Sequence, residues 1–176
     1  RRIAIHEAGH AVAIAMLDVG VVEAVSILGN DTTGGHTTYA ADDFFITKAE
    51  VERYIAKTLA GRAAEELILG YPGTGSGGSV NSDLARATIV TARLHLSVGL
   101  GDELIYRSDE ASIPTVLSRE PKLTQIVENH LQRLYQQAQD VVTANRDMVE
   151  AVAVALLERR HLTGSDFTAV IETTLQ

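Results

Sequence analysis

The stretch from Arg2 to Leu17, RIAIHEAGHAVAIAML, constrains this chain more than any other. Its residues favour helix, and Ala, Ile, Val, Met and Leu are spread around most of the helical circumference instead of along one stripe. A helix apolar on nearly all sides has to be enclosed, so the rest of the 176 residues must supply a shell around it. Length and composition permit this: a chain 45% hydrophobic and 22% charged is ordinary globular material, long enough to bury a sizeable core in one domain or two small packed lobes. The same stretch carries His6, Glu7 and His10. Burying three such side chains in an apolar helix is costly unless something holds them.

The rest of the chain reads mostly as helix. Residues 23–40 switch to β-branched residues with turn punctuation at "GND" and "TGG", which predicts a hairpin or two short strands. Residues 46–70 open with Thr47 and Glu50 in capping-box spacing and run with helical period to Gly70. The glycine-rich "GYPGTGSGGS" (70–79) is a loop; flexibility is its plain reading and shielding or shaping a site the minority one. It has no Gly-Lys-Ser/Thr ending, so it is not a phosphate-binding loop. Helix returns over 80–100, with Asn81, Ser82 or Asp83 as its start signal, and residues 101–118 around Pro114 read as irregular. A long amphipathic helix over 118–145 has the apolar stripe Ile126, Val127, Leu131, Leu134, Ala138 and Val141. Two further helices, 146–160 and 163–175, are separated by "HLTG". The expected fold is mainly α, with a small β-hairpin or sheet element near the first helix.

Helix geometry gives "HEAGH" its chemistry. Residues four apart lie on one face, so the imidazoles of His6 and His10 can converge on one ion, while Glu7 is rotated by about 100° to stand beside it. Two neutral nitrogens, an open position for water and a neighbouring carboxylate are what a zinc hydrolase needs. Gly9, directly before the second histidine, leaves room for another backbone to pack closely. A catalytic zinc site usually has three protein ligands. Ala13 and Met16 stand where a metzincin would carry Gly and His, which excludes that class. Glu65 or Glu66 in "GRAAEEL" offers a thermolysin-like third ligand, and Asp83 in "NSDLARAT" offers one from a helix start, unless it is simply the N-cap. His36, His95, His130 and His161 have no partner at metal spacing and read as ordinary surface or strand residues.

"HEAGHAV", "LAGRAAEELILG" (59–70), "SDLARAT" followed by "ARLHLSVGLGDEL" (82–104), and "NRDMVEAVAVALLE…LTGSDF" (145–167) together resemble the peptidase domain of the FtsH-type, membrane-anchored AAA+ zinc proteases. The resemblance runs through essentially the whole chain in the right order. It implies one helical zinc metallopeptidase domain over 1–176, with the metal-site region in 1–100 and a C-terminal helical region in 101–176. It implies His6, His10 and Asp83 as zinc ligands, Glu7 as general base, and Glu65 orienting one of the histidines. Ser82 stands where the family commonly has Asn, and "HLSVGL" lacks the family's usual aromatic residue. Family members carry an ATPase module and membrane helices ahead of this domain, and neither pattern is present in these residues. The resemblance therefore implies a piece of a longer, homo-hexameric protein that cuts unfolded or membrane-protein polypeptides. That protein would act on the cytoplasmic side of a bacterial inner membrane or its organelle equivalent, the piece itself being soluble.

Composition narrows the alternatives. A formal net charge of −8 disfavours nucleic acid as partner, and the absence of cysteine removes disulfides, thiolate nucleophiles and cysteine zinc sites together. An extended substrate adding to a strand edge at "GGHTTYA" is a physical route to broad peptide specificity, against which stands a fully paired hairpin. The rival functions are an inactive helical assembly module that keeps a metal site and a small-molecule metallohydrolase built on the same motif.

Overall fold

The computed structural model describes residues 1–29, 34–40 and 47–174. The expected turn residues Asn30, Asp31 and Thr33 lie outside these, as do residues 46 and 175 at the expected ends of two helices. Among the described residues there are seven α-helices and three strands: α1 (Arg2–Met16), β1 (Val21–Ser26), β2 (His36–Ala40), α2 (Lys48–Leu69), α3 (Asp83–Leu96), α4 (Ile113–Arg119), α5 (Pro121–Ala144), α6 (Arg146–Arg159), β3 (His161–Thr163) and α7 (Gly164–Thr174). The mainly α expectation holds.

The first helix is enclosed as its composition requires. Ala4, Ala8, Ala11, Val12 and Ala13 of α1 are completely buried, with α2, α6 and β1 packed around them. Small residues make this possible, because they let neighbouring backbones come close from several sides. Gly9 is the tightest point: a Cβ there would lie 2.7 Å from the Ala60 carbonyl oxygen and 2.6 Å from the Ala64 Cβ on α2. Helix α2 is capped as expected, with Thr47 accepting from the Glu50 amide, the Glu50 carboxylate accepting from the Thr47 amide, and Gly70 left-handed at the other end. From Ile55 to Glu65 it too is buried almost throughout. Ile14, Ile55, Leu94, Leu134, Leu156 and Leu162 meet in the surrounding core, each such side chain contributing about 1.5–3 kcal/mol of burial.

Three local expectations are corrected. Residues 113–119 are helical, not irregular, and Pro114 sits in the first turn of α4, where a missing N–H costs nothing. The buried stripe of α5 is Leu123, Val127, Leu131, Leu134, Ala138 and Val142. Ile126 is 44% exposed, because it lies about 100° round the helix from Val127. "HLTG" is more than a spacer: His161–Thr163 forms β3, whose buried Leu162 pairs with Val25. The sheet is antiparallel in the order β2-β1-β3, with an irregularity between Val22 and Ala24. Among the described residues β2 pairs with β1 only, so its other edge is unpaired.

Candidate metal centre

Three donor atoms meet where α1, α2 and the start of α3 converge. His6 Nε2 lies 3.1 Å from His10 Nε2 and 3.2 Å from Asp83 Oδ2, and His10 Nε2 lies 3.3 Å from Asp83 Oδ2. The histidines stand one turn apart on α1, their rings edge to face with centroids 4.7 Å apart. Asp83 reaches them because capping falls to its neighbour: Ser82 accepts from the Ala85 amide and is the N-cap of α3. Asp83 occupies the first helical position, with its carboxylate free to face α1. Among the described residues these three form the one group of His, Asp and Glu side chains able to hold a metal ion.

The second nitrogen of each imidazole is already engaged. His6 Nδ1 is 2.9 Å from Glu65 Oε1, and His10 Nδ1 is 2.9 Å from the Lys57 carbonyl oxygen. Both partners are acceptors, so each Nδ1 carries the proton and each Nε2 presents a lone pair. Two lone pairs facing each other at 3.1 Å beside a carboxylate oxygen repel unless a positive charge lies between them. Without a metal, a proton on His6 supplies that charge. Burial opposes protonation of His6, yet Asp83 and Glu65 outweigh it and hold the imidazole up to about 9. Asp83, despite its own burial, is held far below the usual carboxylate range by His10 and His6. The donor set and its spacing fit a divalent cation such as zinc, whose ligands at about 2.0–2.1 Å lie a little over 3 Å apart around a tetrahedron.

Glu65 is buried and fully committed. One oxygen takes the His6 Nδ1 proton; the other accepts from the Arg2 guanidinium and, at 2.6 Å, from the Gly73 amide. Against the cost of burial, these bonds hold its pKa down at about 2. Glu66, the other carboxylate considered, turns away to α5 and accepts from the hydroxyl of Tyr135 and from Gln139. Gly61 on α2 faces the triangle itself: a Cβ there would lie 2.5 Å from His10 Nε2 and 2.8 Å from His6 Nε2.

Glu7 is 7% exposed and stands on the β2 side of the histidines. Thr37 donates its hydroxyl to Glu7 Oε2 at 2.9 Å, and a Cβ on Gly35 would lie 2.9 Å from Oε1, so the start of β2 lies against this carboxylate. The whole group opens into a cleft of about 740 Å³, walled by α1, β2, α2 and the glycine-rich segment through Gly75, Gly77 and Ser79. That segment is tied to the site at Gly73, and Ser76 within it is buried.

Arg2, Thr37, Lys57 and Gly61 escaped the reading of the sequence. Lys57 had a signal: it is the lone charge in the apolar run "YIAKTLAG". In the structure it is buried, its Nζ 4.4 Å from the centre of the Tyr39 ring and 4.5 Å from that of Tyr54. Burial, with Arg86 adding to it, brings the ammonium down to about 8. Away from the cleft, His95 and His130 prove to be partners, with His95 Nε2 3.0 Å from His130 Nδ1. Their reading as surface or strand residues is therefore corrected: both stand on helices, His95 buried, and packing of α3 on α5 brings them together.

Comparison with known proteins identifies the family. The model of peptidase family M41 matches residues 1–170. "ATP-dependent zinc metalloprotease FtsH 2" of Symbiobacterium thermophilum is 32% identical over 180 residues, spanning 97% of this chain and 30% of that protein. "ATP-dependent zinc metalloprotease FtsH 1" of Sorangium cellulosum is 34% identical over 187 residues, spanning 97% of this chain and 29% of its own length. "ATP-dependent zinc metalloprotease FtsH 2" of Sphaerobacter thermophilus is 33% identical over 181 residues, spanning 97% and 26%. The chain thus corresponds to less than a third of each of these relatives. A match running from the first residue to the last helix, through the paired histidines and Asp83, means that the chain belongs to peptidase family M41.

Proposed function

We propose that this chain is a zinc-dependent endopeptidase domain in which His6, His10 and Asp83 hold the metal, Glu7 is the general base and Glu65 orients His6. The observation that carries the reading is the triangle of donor atoms at 3.1–3.3 Å, with the outer nitrogen of each histidine already spoken for. Zinc, when bound, supplies a Lewis acid that polarises the scissile carbonyl and makes water acidic enough to yield its proton near neutral pH. The residues do the rest. Glu7 takes that proton on a carboxylate held by the Thr37 hydroxyl and hands it to the nitrogen of the departing amine. Its burial keeps water from competing for the same oxygens. Glu65 keeps the Nε2 lone pair of His6 pointed at the ion, the service that outer carboxylates render to metal-bound histidines. The edge of β2 that is unpaired among the described residues, on the strand whose Thr37 bonds to Glu7, receives an extended polypeptide through main-chain hydrogen bonds.

In the longer protein this domain works downstream of an ATPase module that unfolds and delivers polypeptide substrates, in a homo-hexamer anchored on the cytoplasmic side of a bacterial inner membrane or an organelle equivalent. The relatives named as ATP-dependent zinc metalloproteases support this, being more than three times as long as the matched region. No helix among the described residues is long and apolar enough to cross a membrane, so on this reading the anchor lies elsewhere in the longer protein.

Glu7→Gln tests the chemistry. The variant should keep its zinc and lose a factor of about 10²–10⁴ in hydrolysis of an unfolded protein such as a casein. Equal turnover by the variant and the parent would sink the mechanism and favour a metal-holding assembly module.

A further inference from the structure

The Lys57 carbonyl serves His10, but its side chain has no part in the chemistry above, although Lys57 lies in the wall of the same cleft, 7% exposed. Among the described residues its ammonium has neither a hydrogen-bond acceptor nor an ion-pair partner. The tyrosine rings flanking it soften the cost of burial, but a ring face takes up neither the charge nor the three N–H donors. Among the described residues the acidic group acting on it is Asp83, whose Oδ2 is already shared between His6 and His10. Arg86, exposed and almost one helical turn beyond Asp83 on α3, lines the cleft too and likewise has no ion-pair partner among the described residues. Among the described residues the cleft therefore presents two cations without an ion-pair partner to whatever enters it.

Their place along the strand says what that should be. Thr37 and Tyr39 share one face of β2, two residues or about 7 Å apart. The first holds Glu7 and the second covers Lys57. A chain laid along β2 with its scissile bond at Glu7 thus passes Lys57 within a residue or two of that bond.

We propose that Lys57, with Arg86 beside it, selects substrates that place a carboxylate within two residues of the scissile bond: an Asp or Glu side chain, or the carboxylate that ends a chain. The proposal rests on the peptidase reading of the cleft, and the experiment separates the two. Matched peptides differing only by Glu against Gln next to the cleaved bond, and by free-acid against amide terminus, are compared in the zinc-loaded protein. The acidic member should have a kcat/KM higher by roughly tenfold to a hundredfold, the worth of one charge-assisted hydrogen bond. Which pair shows the difference identifies the source of the carboxylate. Lys57→Met should bring the ratio to about one, and Lys57→Arg should restore most of it. Binding of the same peptides to the Glu7→Gln variant, followed by calorimetry, repeats the comparison without turnover. Charge-selective binding without hydrolysis in the parent would retain the proposal and remove the peptidase reading. Hydrolysis with a ratio near one for both pairs would do the reverse. A lowered melting temperature in Lys57→Met with the ratio intact would make Lys57 a structural strut between β2 and α2, and overturn the proposal.

Discussion

The molecule contains two pairs of histidines in nearly the same mutual pose, and only one of them is built for a metal. His6 and His10 lie edge to face at 4.7 Å between ring centres, His95 and His130 at 5.2 Å. In the first pair the outer nitrogens bond to a carboxylate and a carbonyl, so both inner nitrogens present lone pairs to one point, where Asp83 joins them. The second pair is a relay: His95 Nε2 lies 3.0 Å from His130 Nδ1, and His130 Nε2 lies 3.0 Å from Glu52 and 2.9 Å from Arg133, which also bonds to that carboxylate. Every inward-facing nitrogen in the relay is consumed by its neighbour, and no point is left where lone pairs converge. Two rings at close quarters thus say little; what the far nitrogen of each ring is bonded to decides between an ion site and a hydrogen-bonded strut.

Removing one ring from each pair breaks the comparison most forcefully. His10→Ala should weaken zinc binding by well over a hundredfold, since even loss of an outer partner costs 10–100-fold, while His130→Ala should leave zinc stoichiometry unchanged. Atomic absorption after dialysis against a weak chelator reads both, and zinc loss in the second variant would erase the distinction drawn here. Glu65→Gln is the next step down. It keeps the shape but weakens the hold on the His6 Nδ1–H, so zinc affinity should fall by about 10- to 100-fold, with less loss in Glu66→Gln, whose carboxylate faces α5.

The smallest effect is on stability, and it has opposite signs in the two pairs of the metal-free protein. Burial holds His95 below its ordinary 6.5, with His130 and Lys48 adding to it and Asp102 opposing. Burial likewise lowers His130, with Arg133 and Lys48 adding to it and Glu52 opposing. The fold favours the neutral form of both rings, so their contribution is present above 6.5 and is lost as pH falls below it. His6, raised to about 9, contributes below 6.5 and loses its contribution as pH rises through about 9. Urea midpoints of the metal-free protein should therefore fall at both ends. The acid arm should flatten in His130→Gln and the alkaline arm in Asp83→Asn; arms unchanged in these variants would assign the pH dependence to other groups.

Much of this was legible in the residues. The enclosed first helix, the capping box at Thr47 and the convergence of His6 and His10 all follow from a period of 3.6 residues, which is a local property. Family resemblance pointed to Asp83 and Glu65, where spacing alone could not choose between Glu65, Glu66 and Asp83. Other features were illegible for one reason. β3 exists because β1 offers it an edge, the His95–His130 pair because α3 packs on α5, and Lys57 lacks an ion-pair partner among the described residues because Asp83, the acidic group acting on it, turns to the histidines.

By itself the sequence determined a buried helix carrying two donors and a base on adjoining faces, because helical geometry ties residues four apart whatever surrounds them. Only the tertiary structure showed which carboxylate closes the triangle, which one bonds to a histidine and which lysine has no ion-pair partner among the described residues. Those choices join residues as far apart as His6 and Asp83, and such meetings depend on how α1, α2 and α3 pack, not on anything written between them.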